Sequence, residues 1–219
     1  MRPTKKTRCM NRWRQAIEVM MLAALGVTMG LSPAWALNAG PPGRTVRLIF
    51  IHHSCGENWL ADDHGGLGRA LSQNRYVVSD TNYGWGPDSI GDRTDIVDWP
   101  EWFLGPGSRD VLAALFRERE VHSPYTQTMA DPGGENEVVM FKSCFPNSNL
   151  EGRPSDPPRR EGGLTVGHAK AVYNDLLRFF ATRPDKFFVA VTAPPVRDST
   201  HAANARAFNT WLVKDWLKG

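Results

Sequence analysis

The sequence predicts an α/β fold, a three-layer α/β/α sandwich around a mainly parallel sheet, and three observations carry that expectation. Four short apolar runs rich in branched and aromatic residues recur along the chain, each of strand length. Each run ends abruptly in histidine, glycine, proline or small polar residues, as a strand buried on both faces does where it reaches a polar edge. Segments with helical spacing of apolar residues lie between the runs, and strands that alternate with helices pair in parallel.

The first run, Val46-Arg47-Leu48-Ile49-Phe50-Ile51, breaks into His52-His53-Ser54-Cys55-Gly56. Ligands of open α/β sheets collect outside the carboxyl ends of the strands, so Ser54 is a candidate nucleophile; the alternative is a capping serine in a turn. Asp62 to Gly66 reads as a polar turn and Leu67 to Leu71 as a short helix. Tyr76-Val77-Val78 is the second strand. It runs into Asp80-Thr81-Asn82-Tyr83-Gly84-Trp85-Gly86-Pro87, whose glycines allow backbone amides to approach a ligand closely. Aspartates 80, 88, 92, 95 and 98 begin a calcium-loop spacing and then depart from it, so helix and turn caps are favoured over a metal.

Trp99, Trp102 and Phe103 form a core or cleft-lining aromatic cluster, and Ser108 caps a helix through Val111, Leu112, Leu115 and Phe116. Glu137 to Lys142 is the third strand, ending in Ser143-Cys144-Phe145-Pro146-Asn147-Ser148-Asn149. Glu151 to Gly163 reads as a surface loop or lid, Ala169 to Phe180 as a helix and Phe187 to Val191 as the fourth strand. Asp198-Ser199-Thr200-His201 then precedes a last helix from Ala202 to Leu217. An acid and a histidine three residues apart can face one cleft, Asp198 orienting His201; equally, Asp198 can cap the helix.

Residues 1–36 have the three parts of a secretory signal: six basic residues before Gln15, an apolar run from Ala16 to Leu31, and Ala34-Trp35-Ala36 as the cleavage site. The expected organisation is a cleaved signal, then one domain over residues 37–219, in a secreted or periplasmic protein with no membrane span after cleavage. Removing six of 26 basic and one of 23 acidic residues leaves 20 against 22, a formal charge of −2. That near-neutral balance gives no reason to expect nucleic acid or an anionic membrane as partner. No phosphate loop or dinucleotide fingerprint is present, and no cofactor or metal is expected. Cys55 and Cys144 remain after cleavage, an even pair in an exported chain, and a disulfide between them is expected over two free thiols or a catalytic thiol. Such a bridge would close a long loop, worth roughly 4 kcal/mol in the chain-entropy model.

A serine after the first strand, glycines after the second, asparagines after the third and Asp-x-x-His before the last helix together resemble the SGNH, or GDSL-like, hydrolase superfamily. The resemblance covers essentially the whole of residues 37–219 as an ordered set of short blocks, and implies a flavodoxin-like sheet in which the first and third strands are neighbours. It implies Ser54 as nucleophile, Asp198 and His201 as its acid and base, and Gly86 (or Gly84) with Asn147 or Asn149 as oxyanion donors. His52-His53-Ser54 stands where the family has Gly-Asp-Ser. His52 and His53 are read first as supporting histidines of the core, then as an alternative base, then as metal ligands with His64, Asp62 or Asp63. The implied activity is a serine esterase acting on small-molecule or carbohydrate acyl esters, with Trp59, Trp85, Trp99 and Trp102 either stacking on sugar or filling the core. The rival is a glycan-binding protein that keeps the hydrolase sheet without its chemistry.

Overall fold

The computed structural model describes residues 40–218; the expected signal sequence lies outside them. Four strands, β1 (Val46–Ile51), β2 (Tyr76–Asp80), β3 (Val138–Lys142) and β4 (Phe187–Val191), form one parallel sheet in the order β2-β1-β3-β4. β1 is buried along its whole length because it is paired on both sides, with Phe50 opposite Asp80 on β2 and opposite Met140 on β3. β3 in turn pairs with β4 as far as Lys142 and Val191. The adjacency of the first and third strands is therefore as expected.

Alternation along the strands divides the core in two. Ile49, Ile51, Val139 and Phe141 face one layer, which holds α3 (Trp99–Phe103), α4 (Ser108–Arg117), α5 (Val166–Phe180) and α6 (Ala202–Lys214). Leu48, Phe50, Val78 and Met140 face the other, where Leu60 of α1 (Cys55–Leu60), Leu67 and Leu71 of α2 (Leu67–Gln73) and Tyr125 pack on them. This second covering is two short helices and an irregular segment, thinner than the full helical layer expected. Among the described residues no helix is long and apolar enough to cross a membrane.

Several boundaries differ from the sequence reading, each for a local reason. β2 continues two residues further, to Asp80, because Ser79 and Asp80 find buried partners. α5 starts at Val166, where the Thr165 hydroxyl accepts from the His168 amide. α4 begins after Gly107, so Ser108 is its first residue and not its cap. The last helix stops at Lys214, and Trp216–Lys218 is a separate turn whose indole donates to the Tyr173 carbonyl. Three of the five aspartates close turns or caps, Asp95 and Asp98 in a reciprocal capping box and Asp92 by accepting from the Gly84 amide, whereas Asp80 is a buried strand residue.

Trp99, Trp102 and Trp85 belong to the core, Trp85 stacked on Trp102 with ring planes 2° apart. Phe141 sits at the centre of this aromatic layer, edge-on to Trp99 and Phe180 and beside Phe103 and Tyr173. Phe141→Ala should therefore cost about 3–5 kcal/mol, read as a lower denaturant midpoint with an unchanged slope.

Candidate active site

The chain leaves β1 to form β2 on one side, then crosses back to form β3 on the other side of β1. The carboxyl ends of β1 and β3 thus flank a topological switch point, the place where open α/β sheets bind ligands. Ser54 and Cys55 follow one of these ends, Ser143 to Asn149 the other.

Ser54 has φ 52° and ψ −121° between the end of β1 and the start of α1. Among the described residues three other non-glycine residues have positive φ, and of these Asp88 and Ser89 rest in the ordinary left-handed well with ψ of 32° and 42°. Ser54 does not, and such backbone costs of order 1–3 kcal/mol. Its hydroxyl has no hydrogen-bond partner among the described residues. A serine at the apex of a strained strand-to-helix turn presents its Oγ at the sheet edge.

Beneath that turn the imidazole of His52 is fully buried. Its Nε2 lies 2.9 Å from Oδ2 of the equally buried Asp80. Asp80 also accepts from the Ser123 hydroxyl at 2.6 Å and the His122 amide at 2.7 Å. The Thr81 hydroxyl continues the sheet ladder, accepting from the His52 amide and donating to its carbonyl. α1 rests directly on the ring: a β-carbon on Gly56 would stand 2.5 Å from the His52 Cβ and Cγ and 2.7 Å from its Nδ1. Glycine is required there by the ring.

His53 points elsewhere, stacking on Tyr83 with centroids 4.6 Å apart and planes 10° apart, its Nδ1 3.3 Å from the Gly91 carbonyl and 3.3 Å from the Thr94 hydroxyl. Burial holds its pKa below the ordinary histidine value, opposed by the Gly91 carbonyl and reinforced by the positive charge of Lys142. His53 is thus a neutral base at neutral pH. Tyr83 and Phe145, 61% and 51% exposed, are the large rings that face solvent after β2 and β3. Of the four expected tryptophans, Trp85, Trp99 and Trp102 are buried and Trp59 is half-buried against the second core cluster.

The remaining expected residues are placed as follows. Asp198 is exposed, and its Oδ1 accepts from the Thr200 amide at 2.9 Å and hydroxyl at 2.7 Å; those two bonds hold its pKa below the usual carboxylate value. His201 is half-buried in the residue just before α6, and no hydrogen bond joins it to Asp198 or Ser54. Asp198 and Ser148 line a cavity of about 200 Å³ beside β4, with Arg206 and Asn209. Asn147 is buried with its amide consumed: Oδ1 accepts from the Ile96 amide at 2.7 Å, and Nδ2 donates to Asp95 at 2.6 Å and to the Cys144 carbonyl at 3.2 Å. In this geometry it offers no free N–H to an oxyanion. Asn149 is exposed. Gly86 is exposed with φ 76°, as its place before a tight turn requires.

Cys55 and Cys144 are 4.2 Å apart and unbonded, so the expected disulfide is not formed here although its partners are adjacent. The metal reading of His52, His53, His64, Asp62 and Asp63 has no geometry behind it: His52 is bound to Asp80, Asp62 to Arg69 and Thr126, and Asp63 to its neighbour His64 at the surface. Among the described residues Glu118, Glu120 and His122 converge within 4.8 Å, but the Glu118 carboxylate is taken by the Trp85 indole and by two backbone amides.

Sequence reasoning missed Asp80, placed in a loop, and Lys142, treated as strand filler. Lys142 is fully buried, and its ammonium has no hydrogen-bond partner, only the face of Trp59 at 5.6 Å. The signal that could have found both is alternation: Asp80, His52 and Lys142 continue the inward rows of Val78, Phe50 and Met140 by two residues each.

No family model, characterised protein or solved structure matches this chain.

The contact between Gly56 and His52 yields a specific expectation. Gly56→Ala should destabilise the protein by about 1–3 kcal/mol through overpacking, and the double variant with His52→Ala should lose less stability than the two single losses added together. Strictly additive losses in thermal or denaturant unfolding would show that the two residues do not press on each other.

Proposed function

We propose that this protein is an exported serine esterase acting on acyl esters, with acylated carbohydrate as its substrate class, and that Ser54 is the nucleophile. The observation that carries the reading is the strained Ser54 turn at the switch point, its hydroxyl unpartnered and the imidazole of His52 packed beneath it. Ser54 Oγ bonds to the acyl carbon as its proton passes to histidine; the ester C–O bond then breaks and the alcohol leaves with that proton. Water attacks the acyl-serine, giving the carboxylic acid and restoring the hydroxyl.

The proton acceptor in this reading is His201, with Asp198 as its orienting acid. Because neither is hydrogen-bonded to the other or to Ser54, substrate binding has to draw the segment after β4 over the serine; catalytic hydrogen bonds are often long before a substrate is bound. The exposed rings of Tyr83 and Phe145 supply the sugar-facing surface.

A binding protein without turnover is the second reading, and the engagement of Asp198 by Thr200 and of Asn147 by Asp95 favours it. Hydrolysis of short-chain p-nitrophenyl esters and acetylated oligosaccharides decides between them. The esterase reading expects turnover that falls on the order of 10³-fold or more in Ser54→Ala. Saturable binding of acetylated oligosaccharide by a protein that hydrolyses none of them would establish the second.

Export also bears on the cysteines. In an oxidising compartment Cys55 and Cys144, one after β1 and one after β3, are expected to join and fasten the Ser54 turn to the Asn147 loop. Peptide mapping without reductant should recover the linked pair, whereas two titratable thiols in protein taken from the oxidising compartment would refute the bridge.

A further inference from the structure

At the carboxyl edge of the sheet, three ionisable side chains end the rows of one face: Asp80, opposite Phe50 at the end of β2 and bonded to His52, His52 just past β1, and Lys142 at the end of β3. All three are fully buried. The row caps the apolar cluster of Phe50, Val78 and Met140 and lies under α1, the helix that begins after Ser54. Two of its nitrogens, His52 Nδ1 and Lys142 Nζ, have no hydrogen-bond partner.

Stability does not account for such a row. Each buried ion costs several kcal/mol, and apolar replacements of similar volume are often neutral or stabilising. The Asp80 cost is offset by three donors, one of them the imidazole. Nε2 of His52 is engaged by Asp80, and Nδ1 faces the position of Gly56 without a partner. Among the described residues no carboxylate lies within bonding distance of Lys142 Nζ, whose nearest described partner is the face of Trp59.

We propose that Asp80, His52 and Lys142 are a positioning unit for Ser54: Asp80 locks the imidazole, the imidazole sets the first turn of α1 and hence the serine, and Lys142 supplies positive charge to the developing oxyanion in place of Asn147. The proposal rests on the nucleophile reading of Ser54 given above. Lys142 ends β3 two residues before Cys144, which lies 4.2 Å from Cys55, the residue after Ser54, and its positive charge also bears on His53, the residue before Ser54. A charge in a water-poor site at the edge of a sheet is screened far less than one at the surface.

The test uses a fluorophosphonate, which phosphonylates an activated serine, and a separate measurement that needs no ester at all. Ser54 should be phosphonylated in the wild-type protein, identified by mass spectrometry and absent in Ser54→Ala. Lys142→Met should react roughly 10- to 100-fold more slowly with an equal or higher Tm, and Lys142→Arg should recover most of the rate. By NMR, the titration midpoint of His53 should rise in Lys142→Met and stay put in Lys142→Arg; Lys142→Leu serves for both measurements if the Met variant does not fold. A Lys142→Met protein phosphonylated at the wild-type rate overturns the proposal, as does a slower rate that tracks a fall in Tm and is not rescued by arginine. Failure of the wild-type Ser54 to react overturns the nucleophile reading, and the two failures are distinguishable because only the second occurs before any change at Lys142.

Discussion

A carboxylate buried without water must be saturated with donors, and Asp80 is the group on which that constraint falls most heavily here. Its three donors come from three parts of the chain: the histidine after β1, and an amide and a hydroxyl from the segment around residue 122. Removing any one leaves a buried charge short of a partner, a cost of several kcal/mol where the bond itself is worth about a third of that. The carboxylate therefore fixes the His52 ring, the ring fixes the first turn of α1 through Gly56, and the turn fixes the backbone of Ser54. A local strain of a few kcal/mol at Ser54 persists because every neighbour that could relieve it is itself held.

The loops beyond the other strands are fastened to one another in the same manner. Asn147 joins the loop after β3 to the segment at Asp95 and Ile96, and the Ser148 hydroxyl reaches the carbonyls of Ala193 and Pro194 after β4. Such bonds preorganise the rim of the switch point, and they also consume its donors. Turning Asn147 toward an oxyanion would give up a bond to an ionised carboxylate, about 1.5–3 kcal/mol, before any gain is made. A positive charge already at the edge would need no such rearrangement, which is why the proposal assigns the oxyanion to Lys142 and not to Asn147.

Much of the frame was legible in the sequence because it rests on pattern. The runs at Val46, Val138 and Phe187 are apolar and bounded by breakers, so their existence, type and parallel pairing could be read directly. Ser54 was found because it stands at the first of those boundaries. Asp80 was not, because a serine and an aspartate at the end of β2 look like the start of a loop until their tertiary partners are known. The Asp-x-x-His block was readable as residues but not as geometry: one and the same aspartate can orient a histidine or close a turn on Thr200, and the local bond, needing no tertiary partner, is the one present. The tryptophans could be core or cleft by composition alone, and only burial separates them from Tyr83 and Phe145.

The placement of charge and strain is the strongest argument that this edge of the sheet has a function. A parallel sheet buried on both faces is most stable when its inward rows end in apolar residues, and at the amino end β1, β2 and β3 do begin that way, with Val46, Tyr76 and Val138 packed in one cluster. At the carboxyl end the same rows finish in an acid, a histidine and a lysine. That asymmetry works against stability at the end where a serine is held in costly backbone and two thiols face each other across the switch point. Packing alone would favour methionine or leucine at position 142. A lysine there is explained if Ser54 is the proposed nucleophile, because the negative charge of its reaction would develop at the same edge.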